Sequence, residues 1–149
     1  MEIKQLDSEG KGFLIQEEGK RLKPYFDSKG VATIGIGNTY YEDGTRVKIT
    51  DPPISEQRMI TLFDIVLKPY EMLVWSVTRD DITQNNFNAL VSIAYNIGQT
   101  NFRQSTLLRR VNAKASDEEI RAAFVAYKYS AGKPILLERR KREFELYVS

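Results

Sequence analysis

An α+β fold, with a small antiparallel β lobe and a larger helical lobe, is predicted by three features of the sequence. The stretch from Arg21 to Asp51 sets Gly30, Gly35, Gly37 and Gly44 among Thr, Tyr, Ile and Val residues, the texture of short strands and turns. A helix-like segment precedes it, and from Ser55 onward apolar residues recur at helical spacing to the end of the chain. The 149 residues suffice for one domain with a sizeable core. The expected organisation is a single domain over 1–149, with a β-containing lobe at about 20–54. A helix starting near 55 joins it to a helical lobe built from the N-terminal helix and about residues 70–149. An active-site cleft is expected between the lobes.

Each element follows from local signals. The first helix opens near Ser8 and runs to about Glu18, where Gly19 stops it. Turns at DSKG and EDGT then divide a hairpin or a three-stranded sheet, closed by Pro52-Pro53. The alternation in VATIGIG puts Gly35 and Gly37 on one side of a strand, leaving room for something to approach the backbone. Ser55 caps a helix carrying Met59, Leu62, Phe63, Val66, Leu73 and Val74, with a kink or break at Pro69. Trp75 lies in that stripe and reads as core. Thr83 caps the next helix, whose apolar face is Phe87, Leu90, Val91 and Ala94 and whose end is Gly98. Ser105 starts a short helix, and Ser116 with Glu119 forms a capping box for a helix through Ile120, Phe124 and Tyr127. A last helix follows Gly132 and Pro134. There Ile135, Arg139, Arg142 and Leu146 share a stripe, while Arg140 and Lys141 read as solvent-facing.

Composition removes whole classes of chemistry. The chain has neither Cys nor His. Disulfides, thiolate zinc sites, cysteine nucleophiles, Ser-His-Asp triads and imidazole acid–base work are excluded together. Carboxylate, lysine, tyrosine, serine and threonine chemistry remains. No apolar run approaches a membrane span, and MEIKQLDSEGKGF has no signal-like hydrophobic stretch. Residues 1–100 hold 11 basic and 14 acidic side chains, whereas residues 101–149 hold 11 and 6. The basic C-terminal third suits an anionic partner such as nucleic acid, cell-wall polymer or a membrane surface, or else a solvated helix face.

Two motifs invite chemistry. IGIGN lacks the third glycine of a dinucleotide loop and the Gly-Lys-Ser/Thr of a Walker motif, so a structural role is favoured over phosphate binding. Glu18 and Asp27 stand out among 20 carboxylates by setting. The first lies at a helix C-terminus, facing the negative end of the dipole. The second opens a polar turn. Two carboxyls in unlike surroundings can divide the roles of acid and base; otherwise they are an ordinary helix-end acid and turn former.

Read as one string, Glu18-Gly19, Tyr25, Asp27 and Thr33-Ile34-Gly35-Ile36-Gly37 resemble the signature of phage-type lysozymes, the endolysins of glycoside hydrolase family 24 of the T-even type. Phe87–Ser92 with Tyr95–Gly98, Ser105–Arg109 with Asn112, and Ala131–Pro134 with Arg139-Arg140 and Glu143 extend the resemblance over about residues 12–147. The resemblance implies a lysozyme-like fold and a muramidase. It would cleave the β-1,4 bond between N-acetylmuramic acid and N-acetylglucosamine in peptidoglycan, with no metal and no organic cofactor. It implies Glu18 as general acid, Asp27 as the carboxylate that activates water and stabilises oxocarbenium charge, and Thr33 as a hydrogen-bonding partner of that water. Gly37, Asn96 and Ser105 are implied as substrate contacts, and Arg139 as a supporting residue paired with Glu18. An inverting reaction suits such a pair, since carboxyls about 6.5–9.5 Å apart leave room for water. Three positions depart from the family pattern: Asn38 replaces a histidine, Tyr127 a tryptophan and Ile135 a glycine.

A monomer is expected, acting on peptidoglycan and not on nucleic acid. It would accumulate in the host bacterial cytoplasm and reach the periplasmic wall after membrane permeabilisation, by holin-dependent release. The alternatives are a lytic transglycosylase, which needs one acid and no water, and a non-catalytic wall- or nucleic-acid-binding module.

Overall fold

The computed structural model describes residues 3–149. The chain forms two compact units, Phe13–Lys68 and a second that joins the N-terminal residues through Gly12 to Pro69–Ser149. The boundaries fall inside the first helix, α1 (Ser8–Glu18), and the second, α2 (Glu56–Val77).

The β unit is organised by one hairpin. α1 stops where expected, because Gly19 takes φ 76° and its N–H donates to the Ile15 carbonyl at 2.9 Å. Strands β1 (Arg21–Phe26) and β2 (Ala32–Gly35) pair antiparallel, with Tyr25 opposite Thr33 and Phe26 opposite Ala32. DSKG makes the turn between them, the Gly30 N–H donating to the Asp27 carbonyl at 3.0 Å. EDGT turns the chain again, with the Tyr41 N–H donating to the Thr45 carbonyl at 2.9 Å. Beyond β2, the described residues form isolated bridges, Ile34 with Asn38 and Tyr40 with Arg46, and not a third regular strand.

The alternation in VATIGIG proves misleading. Gly35 and Gly37 have φ of 68° and 80°, and Ile34 and Asn38 exchange both backbone hydrogen bonds, at 2.9 and 3.0 Å. The segment is a tight reversal, not a continuing strand. Two left-handed backbones within three residues demand glycine, since a Cβ is strained there. Ile36 between them is buried, with Ile34, Met59, Leu62 and Phe63. Asn38 ties the reversal to α2 by donating its Nδ2–H to the Leu62 carbonyl at 3.1 Å. The amide thus supplies a hydrogen bond at the position where the resemblance implies a histidine.

Ser55 caps α2, its Oγ accepting from the Arg58 N–H at 3.1 Å. The helix runs through Pro69 without a break. Proline removes one ladder bond, and the turns on either side of Pro69 remain helical.

In the helical unit, α3 (Gln84–Ile97) is the buried centre. Thr83 and Asn86 form its capping box, and the Gly98 N–H closes it on the Ala94 carbonyl. Eight consecutive residues, Phe87–Ala94, are buried, so neighbours surround the helix rather than one amphipathic face. A five-residue helix absent from the sequence reading, α4 (Gln99–Arg103), follows directly. Then come α5 (Thr106–Asn112), α6 (Asp117–Val125, opened by the Ser116/Glu119 capping box) and α7 (Leu137–Val148). α7 packs on α3 and α6, with Phe124 edge-on to Phe144 and Tyr147 at centroid separations of 6.3 and 5.7 Å. Trp75 is not core: it is 42% exposed, with Lys4 Nζ 4.9 Å from its ring centroid, a cation above a partly wetted indole. Ile135 precedes α7 and is also exposed, so it leaves the stripe assigned to it.

The start of α1 is fastened to α3 by a polar cluster. The buried Asn88 donates its Nδ2–H to Asp7 Oδ1 at 2.8 Å and to Asn85 Oδ1 at 3.0 Å, and accepts from Gln84 Nε2 at 2.9 Å. A Cβ at Gly10 would overlap that Asn88 amide. Gly10→Ala should therefore destabilise by about 1–3 kcal/mol, outweighing the roughly 1 kcal/mol that alanine gains in a helix. Urea unfolding would check it, and a variant as stable as the parent would show that the cluster yields freely.

Candidate active site

The hairpin brings two of the expected catalytic residues together, Asp27 half-buried and Thr33 buried at 2% exposure. Asp27 follows β1 directly and Thr33 lies in β2. The Asp27 N–H donates to the Val31 carbonyl, which extends the ladder to a 27/31 pairing beyond 25/33 and 26/32. Asp27 and Thr33 are then diagonal neighbours on the same face, a relation that puts Cβ atoms about 7–8 Å apart. Both are held through the backbone of one residue, Val31. Asp27 Oδ1 accepts from the N–H groups of Lys29 and Val31 at 2.8 and 2.9 Å, while Thr33 Oγ1 donates to the Val31 carbonyl at 2.8 Å.

These bonds decide what each group can offer. Asp27 engages one carboxylate oxygen in the turn, so its orientation is fixed while Oδ2 stays available as an acceptor. Thr33 spends its only hydroxyl proton on Val31, so its oxygen can only accept from a water. A water between them would donate one hydrogen to each, which aims its lone pair away from both.

Glu18 is the last residue of α1 and is exposed. Gly19 turns the chain out of the helix at that point and leads into β1. Gly37 lies exposed at the tip of the glycine reversal.

The remaining expected residues belong to the helical unit. Ser105 is buried and caps α5: its Oγ accepts from the Leu108 N–H at 3.0 Å and donates its proton to the Phe102 carbonyl at 2.7 Å. Asn96 is exposed near the end of α3. Arg139 is buried on α7, where its Nε lies 3.3 Å from Glu143 Oε2.

That last contact is part of a cluster that sequence reasoning missed. Arg140, read as solvent-facing, has 0% exposure, as does Glu143. Arg140 Nε lies 2.9 Å from Glu143 Oε1, and Ser92 Oγ donates to Glu143 Oε2 at 2.5 Å. Arg140 Nη2 reaches Asn96 Oδ1 at 2.6 Å. One buried carboxylate thus serves two guanidiniums and a hydroxyl, the company a buried charge requires. Burial pushes the Glu143 carboxyl up from its ordinary value, against the pull of Arg140, Ser92 and Arg139. The Arg-Arg-x-x-Glu spacing, i to i+4 and i to i+3 on one helix, was the readable signal.

Among the described residues no cluster of acidic side chains could hold a metal ion. No helix is long and apolar enough to cross a membrane.

Known proteins resemble this chain in sequence and in fold. The phage lysozyme family model matches residues 15–143. The endolysin of Salmonella phage P22 is 38% identical over 146 residues, covering 97% of this chain and 99% of that protein. A crystal structure of a P22 lysozyme mutant superimposes with a TM-score of 0.90 at 37% identity, over 99% of this chain and 100% of the other. The muramidase domain of SpmX from Asticaccaulis excentricus follows at a TM-score of 0.80 and 28% identity, with 99% of each chain covered. The fold is lysozyme-like, and the chain belongs to the phage lysozyme family of peptidoglycan-cleaving glycoside hydrolases.

Proposed function

We propose that this chain is a muramidase of glycoside hydrolase family 24, of the T-even type, which hydrolyses the β-1,4 bond between N-acetylmuramic acid and N-acetylglucosamine with inversion. Glu18 protonates the glycosidic oxygen as the bond breaks. Asp27, fixed by its turn, accepts a proton from the attacking water and opposes the oxocarbenium-like charge. Thr33 accepts the water's second hydrogen and so orients it. Gly37 and Asn96 contact substrate, Ser105 caps α5 and so holds its start in place, and Arg139 supports the site. The chain acts as a monomer in the periplasm, released from the host cytoplasm through a holin-dependent lesion.

The observation that carries this reading is the backbone of Val31, whose N–H fixes Asp27 and whose carbonyl takes the Thr33 proton. It leaves Asp27 Oδ2 and Thr33 Oγ1 as acceptors, the groups that could take the two hydrogens of a water. A transglycosylase closes an anhydro ring without water and has no use for that pair.

Digestion of purified peptidoglycan, with mass analysis of the released muropeptides and early-time NMR of the new reducing ends, separates the outcomes. Reducing N-acetylmuramic acid ends that first appear as the α anomer are expected. Anhydro ends would replace the hydrolase by a transglycosylase, and initial β anomers would exclude inversion.

A further inference from the structure

Asn96 has an exposed amide, yet its orientation is set from beneath by a residue with no exposure. Arg140 Nη2 lies 2.6 Å from Asn96 Oδ1. A guanidinium carries donors only, so the amide must turn its oxygen inward and its NH2 outward. The guanidinium is in turn held, since Glu143 Oε1 meets its Nε edge at 2.9 Å and Ser92 fixes Glu143 from α3. The ion pair and the amide contact engage two separate nitrogens of the planar fork, Nε and Nη2, which restricts its rotation. All four residues belong to the helical unit.

We infer that Arg140 is a positioning residue that locks Asn96 as a hydrogen-bond donor, so that this position of the substrate site takes an acceptor oxygen, such as a carbonyl of an N-acetyl or peptide group, and not a hydroxyl proton. The inference rests on the proposed muramidase function and on Asn96 as a substrate contact. A free asparagine can flip to suit either partner; a locked one cannot. The buried charges of α7 then select substrate through the polarity of one exposed side chain.

The test uses soluble oligomers of alternating N-acetylglucosamine and N-acetylmuramic acid bearing stem peptides. No cleavage by the parent protein would overturn the muramidase reading itself. Given cleavage, Asn96→Asp keeps an oxygen for Arg140 but turns a second oxygen outward in place of the donors. It should raise KM about tenfold, the scale of one lost hydrogen bond facing an acceptor, with the loss concentrated in KM over kcat. An unchanged KM would overturn the donor assignment and leave the muramidase reading standing.

Arg140→Gln should raise KM in the parent background and add nothing to Asn96→Ala, because it acts through Asn96. Equal effects in both backgrounds would overturn the positioning role. Should Arg140→Gln fail to fold, side-chain amide NMR of the parent decides. The Asn96 Nδ2 protons should show no strong NOE to the Arg140 guanidinium protons and should shift on saturation with oligomer. A strong NOE between them, the mark of a flipped amide, or no shift, would overturn the lock.

Discussion

Exchanging Glu18 for glutamine should stop cell-wall lysis while leaving the folded protein intact. The side chain ends α1 and is exposed, so it contributes little to a core. Substitutions of exposed residues commonly change stability by about 0.5 kcal/mol or less. Glutamine preserves the shape and most hydrogen-bonding capacity of the acid but cannot deliver a proton to a departing sugar oxygen. Loss of a general acid costs about 10²–10⁴-fold in rate, and the natural leaving group, a poor one without protonation, places the effect at the upper end. Turbidity clearance of permeabilised cells, with circular dichroism of the same samples, makes the measurement. A glutamine variant that clears near the parent rate would remove Glu18 from the acid role. A variant that loses its dichroism would point to a structural role.

The largest effect on stability is expected at Glu143. Replacement by alanine strips the shared carboxylate from between Arg139 and Arg140 and leaves two guanidiniums in a site from which water is excluded. Breaking a buried ion pair by removing one partner costs about 3–5 kcal/mol, a fall of roughly 6–20 °C in Tm for a chain of this size. The sign reverses if the charges leave together. A Glu143→Leu, Arg139→Met, Arg140→Met combination exchanges the cluster for apolar volume and should recover most of the loss, because it also removes the desolvation penalty. Thermal unfolding of both variants gives the comparison. An alanine variant within about 2 °C of the parent would mean that the arginines find solvent or other partners at little cost.

Local signals carried much of the fold. Ser55, Thr83, Ser105 and Ser116 open helices as read, because a cap bonds within three residues and needs no distant partner. The failures share the opposite property. VATIGIG alternates like a strand, yet the reversal depends on backbone angles at Gly35 and Gly37 that a hydrophobic pattern does not encode. Arg140 lies among four consecutive basic residues and reads as surface, whereas its burial depends on Glu143 and on Ser92, 51 positions before that glutamate. The short α4 has no side-chain cap to announce it. At the site, the proposed roles of Glu18, Asp27 and Thr33 rest on the resemblance. The role of Val31 in fixing two of them could come only from coordinates, since any non-proline residue there supplies the same N–H and carbonyl.

The division of the chain has a consequence for the order in which it is made. The β unit is one unbroken segment, Phe13–Lys68, so a ribosome releases all of its parts, including Glu18, Asp27 and Thr33, before any of α3 emerges. The helical unit is different. Its centre, α3, is covered by α7, which is synthesised after α4, α5 and α6. Until Leu137–Val148 emerge, the buried surface of α3 faces water and Ser92 lacks the glutamate it bonds. A nascent chain therefore holds its β unit early but can close the core around α3 only once α7 has been made.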